Sequence, residues 1–192
     1  MINLLRNVIV NHRNIGNDIR CFYCLTSGDP MARKGVLKGM SDAGMRDEVV
    51  TVLSSSSFRP SSREGGRNDA VNVDNSDARI GMAEAVAAAA MACTLAEHHA
   101  LTSGGDAVMV IDDVNLHKSL WDVTTRELVG VFGINSVVEA DLNRGSSSEM
   151  RGFFSGLIQH AARFNAKNGG GSITLILLSN LLDPDGADGI DD

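Results

Sequence analysis

Two adjacent carboxylates, Asp112 and Asp113, are the side chains in this sequence best placed to do chemistry. They close the stretch Gly105–Asp113, Gly-Asp-Ala-Val-Met-Val-Ile-Asp-Asp, directly after five uninterrupted apolar residues. Three of those five, Val108, Val110 and Ile111, are β-branched. The run reads as a strand buried on both faces, which requires a parallel sheet covered by helices. In open parallel sheets ligands gather outside the carboxyl ends of the strands. A carboxylate at such an end can share a divalent cation with phosphate oxygens, since hard cations take oxygen ligands. The plainer reading is an acidic loop after a core strand, and the motif taken alone favours it.

The other candidates are weaker. Asp29 follows Gly28 at the end of an apolar run, but Asp29-Pro30 is also an ordinary turn that caps the next helix. Cys21 and Cys24 have C-x-x-C spacing inside the strand-like Ile19–Leu25. A spacing of three in a strand places them on opposite faces, so they read as buried thiols, neither a redox pair nor half of a zinc site. His98 and His99 are adjacent near a helix end and do not share a face, which makes them a poor metal site. No metal or cofactor is expected.

The elements that must position these residues follow from periodicity. Ile2, Leu4, Leu5, Val8, Ile9 and Ile15 recur at near-helical spacing in a basic opening segment that carries Arg6, Arg13 and Arg20. That segment is similar to a mitochondrial presequence, but it reads better as a helix packed on the sheet. Strands are expected at Ile19–Leu25, Glu48–Leu53, Ala107–Ile111 and Ser172–Leu178. A helix with Val36, Leu37 and Met40 as its stripe is expected from Met31 to Ala43, with Pro30 at its first position. Ala78–Leu101 is the strongest helix, because its alanines combine high propensity with close approach to a neighbour. A helix follows over Leu116–Phe132, with Trp121 half-buried and a less regular helix running on to Leu142. Phe153, Phe154, Leu157, Ile158, Ala161 and Ala162 form the stripe of a last helix, ended by Gly169-Gly170-Gly171. Ser54–Asn75 is a long serine-rich insertion whose Arg59, Arg63 and Arg67 read as a solvated face, and Asp183–Asp192 is an acidic tail. Strands alternating with helices over residues 1–182 mean a single α/β domain with a mostly parallel sheet.

The composition agrees. The chain has 192 residues, 43% hydrophobic, enough for one domain with a real core. Its formal net charge of −7 argues against a nucleic-acid face as the main function. Three cysteines give no disulfide framework. No uninterrupted apolar run reaches membrane-spanning length.

In their order, these pieces resemble the RecA-like nucleotide-binding core of the alpha subunit of the rotary ATP synthase. Ile2–Asn14 is similar to the helix after the P-loop, Cys21–Gly28 to the next core strand and turn, and Val49–Ser54 to the third strand. Ser76-Asp77-Ala78 opens a helix as a similar triplet does there. Val108–Asp113 resembles the Walker-B strand with its doubled acid. Leu157–Asn165 followed by Gly169-Gly-Gly-Ser-Ile-Thr174 is the most specific match. The likeness covers most of Met1–Leu178 and implies a degenerate P-loop NTPase core. In it Asp112 and Asp113 are vestiges of the metal-binding acids, and Asp29 is a vestige of a strand-end group that is a carboxylate in catalytic subunits.

The departures set the functional expectation. No G-x-x-x-x-G-K-[ST] occurs, and the chain begins where the P-loop helix is already under way. The phosphate-cradling amides, the phosphate lysine and the Mg²⁺-binding hydroxyl are therefore expected to be missing. The family's segment after the Walker-B helix is not recognisable around Asn135–Ser148. The resemblance thus implies a chain that is not an enzyme: a structural or accessory subunit of a large mitochondrial assembly in the matrix, ATP synthase-related first. The alternatives are another complex such as the ribosome, or a nucleotide hydrolase whose P-loop half is on a separate chain. Its partners would be protein subunits, without membrane insertion. In this family the strands lie in the order three, two, four, five, one. The four strands here would be three, two, four and five, which leaves Ile173–Leu178 as an uncharged edge that a partner is expected to cover.

Overall fold

The computed structural model describes residues 1–26, 30–54, 76–137 and 148–179. The expected turn at Asp29, the insertion from residue 55 to 75, the segment 138–147 and the acidic tail lie outside the described residues.

The order of elements is α1 (Ile2–Asn14), β1 (Ile19–Leu25), α2 (Pro30–Asp42), β2 (Val49–Leu53), α3 (Ser76–Thr102), β3 (Asp106–Asp112), α4 (Asn115–Phe132), α5 (Ser148–Ile158) and β4 (Ile173–Leu177). A short 3₁₀ turn, Ala166–Asn168, precedes β4. The four strands form one parallel sheet in the order β2-β1-β3-β4. This is the order expected for them above. The register brings the strand ends level: Leu25 lies beside both Leu53 and Asp112, and Ile111 beside Leu177.

Period-two alternation divides the sheet into two cores. On one face Cys21, Tyr23, Leu25, Val108 and Val110 meet Leu5 and Ile9 of α1 and Met40 of α2. On the other, Phe22, Cys24, Ala107, Met109 and Ile111 meet the alanine face of α3. Cys21 and Cys24 do fall on opposite faces, both fully buried. Ala85, Ala89, Ala92, Ala96 and Ala100 of α3 are also essentially inaccessible. Side chains this small let α3 lie close to the sheet, which explains its composition. From Arg79 to Thr102 the helix is also long and apolar enough to cross a membrane by length and composition. Its alanine face, buried against the sheet, accounts for part of that apolarity, while Ile80, Met91, Leu95 and Leu101 stay exposed. Beyond it, Leu116 of α4 packs on Met82 and Ala85, with Leu120 and Val123 beside them. Gly133, at φ 81°, ends α4 by donating its N–H to the Val129 carbonyl.

Three expectations need correction. The α1 stripe is narrower than expected: Leu5 and Ile9 are buried, whereas Leu4 is 49% exposed and Ile15, beyond the helix end, is 68% exposed. In α2, Met40 is buried and Leu37 faces outward, because one residue turns the helix by about 100°. The last helix stops at Ile158, so Ala161 and Ala162 are not part of it. The chain there extends and pairs with the start of β4: Arg163 bridges Ser172 in antiparallel fashion, the Ile173 N–H donates to the Ala162 carbonyl (2.7 Å), and the Phe164 N–H donates to the Gly171 carbonyl (2.8 Å). A continued helix would leave those edge groups without partners, and unsatisfied backbone costs more than a lost helical turn.

The glycine run also has a different purpose from ending a helix. A Cβ on Gly171 would run into the Gly105 carbonyl, and it would lie 2.8 Å from the Ala100 carbonyl oxygen. Glycine is needed there so that the approach to β4 can pass against the end of α3.

Candidate functional site at the carboxyl edge of the sheet

The strand ends at Leu25, Leu53, Asp112 and Leu177 place Thr26, Ser54, Asp113 and Ser179 along one edge. The structure separates the two predicted acids into different roles.

Asp112 is the last residue of β3 and is half-buried. By alternation it shares a face with Val108 and Val110, towards α1 and α2. Tyr23, 3% exposed on β1, lies two positions back on the same face, beside the carboxylate. Burial raises the Asp112 carboxyl above the ordinary carboxylate range, the Tyr23 hydroxyl opposes the rise, and the neighbouring Asp113 adds to it. The Tyr23 hydroxyl is pushed up in turn, first by burial and then by the adjacent carboxylate. A carboxylate beside a buried hydroxyl donor has less lone-pair capacity to offer a cation.

Asp113 turns the chain. Its φ of 68° is the one positive value among the described non-glycine residues. Its Oδ1 accepts the Asn115 N–H at 3.0 Å, a local turn that starts α4. The buried Thr26 hydroxyl donates to the main-chain carbonyls of both Asp112 and Asp113, which pins the end of β1 to the end of β3. On the far side the Val114 N–H donates to the Leu178 carbonyl (2.8 Å) and the Ser179 hydroxyl to Asn115 Oδ1 (3.0 Å). The edge is thus tied across three strands by groups that serve structure.

His117 was not singled out from the sequence. It is 3% exposed, tilted against Phe153 of α5 at 6.3 Å between ring centres, and its Nδ1 has no hydrogen-bond partner. Burial lowers its basicity, and Asp113 opposes that. Tyr23 was legible in principle: a tyrosine inside a buried strand needs a partner for its hydroxyl. Asp29 lies outside the described residues, so the structure brings together only Asp112 and Asp113 of the three predicted acids.

Beside this edge, a groove of ≈ 600 Å³ opens between α1 and α2 and is lined by Met1, Ile2, Arg6, Tyr23, Gly39 and Asp42 among others. Tyr23 therefore stands between the groove and Asp112.

A second hollow, ≈ 400 Å³ and mostly polar, lies at the opposite edge, where Asp18, Ser103, Asp106, Arg163 and Ser172 converge. Ser103 Oγ lies 3.1 Å from His99 Nδ1, and His99 Nε2 lies 3.9 Å from Asp18. This is no nucleophile–base arrangement. The Ser103 hydroxyl donates to the His99 carbonyl (2.7 Å) and accepts the Gly105 N–H, which caps the end of α3, and 3.9 Å is too long for the third link. His98 points to solvent, and no group of three metal-ligating side chains occurs among the described residues.

No protein-family model matches the chain, and no curated protein matches it.

Proposed function

We propose that this chain is a non-catalytic structural or accessory subunit of a large mitochondrial matrix assembly, built on a degenerate RecA-like core and related first to the rotary ATP synthase. The observation that carries the subunit reading is the outer side of β4. Ser172 and Leu178 direct their backbone groups to β3, since the Ser172 carbonyl accepts from Ala107 and the Leu178 N–H donates to Ile111. Alternation then turns the N–H and C=O of Leu175 and Leu177 outward. Ala162–Phe164 covers the beginning of this edge, but among the described residues no strand pairs with Leu175–Leu177. Natural sheets protect such an edge with charge, proline or cover. Here Leu175, Ile176 and Leu177 carry no charge, and Leu177 is 36% exposed. A partner strand added to these three residues satisfies both the backbone and the apolar side chains.

The sheet order supports the RecA-like reading, and the non-catalytic reading is supported by the placement of Asp112 and by the turn-forming role of Asp113. Phosphoryl transfer is mostly the positioning of phosphate and metal, whereas here Asp113 Oδ1 closes a local turn and Asp112 is half-buried beside Tyr23. Titration of the purified chain with Mg-ATP tests this half: no heat of binding is expected. A micromolar dissociation constant abolished by Asp112→Ala would instead favour a nucleotide hydrolase completed by a second chain. Affinity purification from mitochondria tests the assembly. Co-migration with rotary ATPase subunits is expected, whereas ribosomal proteins would indicate a repurposed subunit of that particle.

A further inference from the structure

The two helical layers differ in charge. On one face of the sheet α1 and α2 carry five basic residues, Arg6, Arg13, Arg33, Lys34 and Lys38, against one acid, Asp42. On the other, α3, α4 and α5 carry six acids against four bases. The chain as a whole is at −7, so the α1/α2 layer is a local reversal of its field. Arg13 is paired with Glu48 at 2.6 Å, while Arg6, Lys34 and Lys38 stand exposed. Large apolar side chains are exposed on the same two helices: Leu4 at 49%, Met31 at 75% and Leu37 at 41%. The groove between the helices, with Arg6 on its wall, gives the layer relief.

We propose that the outer face of α1 and α2 docks an acidic, partly apolar segment of a partner protein. The proposal rests on the subunit reading above and adds a second contact on a face distinct from the β4 edge. Charge complementarity selects a negative partner, since acidic groups are repelled by the rest of the molecule and attracted here. The mixture of apolar and basic side chains selects polypeptide over the other polyanions. Single-stranded nucleic acid is held mainly by stacking on large aromatic side chains, and neither helix contains Phe, Tyr or Trp. An anionic bilayer takes a continuous apolar helix face; here Leu5, Ile9 and Met40 are buried on the sheet, and the exposed Leu4, Met31 and Leu37 are interspersed with Arg6, Lys34 and Lys38.

The test is amine footprinting of the native assembly, followed by carbodiimide coupling, which joins amines to carboxylates without a spacer. Lys34 and Lys38 should lose their reactivity to an acetylating reagent in the assembly and keep it in the isolated chain. Coupling should join them to Asp or Glu of another protein. Arg6→Glu combined with Lys34→Glu and Lys38→Glu, all exposed positions, should leave the isolated chain folded by circular dichroism and abolish the coupling partner's retention. If the chain sits in an assembly while both lysines acetylate as fast as in isolation, this inference is overturned and the subunit reading stands. Ultraviolet cross-linking of α1 or α2 to RNA would overturn it as well. A chain that sediments alone overturns both.

Discussion

The Tyr23 hydroxyl, buried on the α1/α2 side of the sheet, stands beside the Asp112 carboxylate at the end of the neighbouring strand, and each shifts the other's titration. The fold thus leaves the residue with the clearest chemical potential in the sequence half-buried beside a tyrosine. It also fixes a pH dependence. Burial holds the Asp112 carboxyl above its ordinary value despite the opposing effect of the Tyr23 hydroxyl. The folded chain therefore binds this proton more tightly than the unfolded chain does. The contribution of the site to stability is full below the ordinary aspartate range and is lost as pH rises through the raised value. Asp112→Asn keeps an acceptor for Tyr23 and does not titrate. Urea unfolding from about pH 4 to about pH 7 should show the Asn variant gaining stability relative to the parent as pH rises. Tyr23→Phe removes the donor and should cost ~1–3 kcal/mol at neutral pH. A flat difference across the range would mean that Asp112 is not buried as described.

Close approach is the second feature open to test. Gly171→Ala places a methyl against the carbonyls of Gly105 and Ala100 and should cost at least ~2 kcal/mol. Ala96→Leu forces a large side chain between α3 and the sheet and should cost ~1–3 kcal/mol or more. Leu95→Ala, one residue away but 39% exposed, should change stability by no more than about 0.5 kcal/mol. Denaturant midpoints of the three variants decide, and a cost at Leu95 equal to that at Ala96 would contradict the orientation of α3.

Much of this architecture was readable in the residues. The apolar run Ala107–Ile111 announced a doubly covered strand, and the spacing of Cys21 and Cys24 placed them on opposite faces. The alanines of α3 implied close packing, and Pro30 marked the first residue of α2. What escaped the sequence was decided by tertiary competition. Ala161 and Ala162 continue an apolar helical period, yet the open groups of Gly171 and Ile173 claim that backbone for β4. Gly169-Gly170-Gly171 looked like a helix stop, whereas its purpose is contact with a segment some 70 residues earlier, which no local pattern reveals. At the carboxyl edge the doubled acid was legible. The partner of Asp112 was not, because Tyr23 and Asp112 meet only through the β1–β3 register. His117 was hidden for the same reason: its apolar surroundings come from α5.

The thiols give a third check. Burial pushes Cys21 up to about 11, Cys24 up to about 12 and Cys93 up to about 11. At mildly alkaline pH the folded chain should show no rapid reaction with a thiol reagent, and all three cysteines should react together on unfolding. Fast reaction of Cys21 alone would show that the α1 side of the sheet opens independently.

The central claim is that the outer edge of β4 is covered by another protein. Hydrogen exchange of the isolated chain and of the same chain within its native assembly measures this most directly. The outward amides of Leu175 and Leu177 should exchange quickly in the isolated chain and become strongly protected in the assembly, while the inward amides of Ile176 and Leu178 are protected in both. Leu177→Lys, a charge placed on the edge, should abolish that protection together with assembly, and should leave β1 and β3 protected as before. An isolated, monomeric chain in which Leu175 and Leu177 are already as protected as Ile176 would contradict the account.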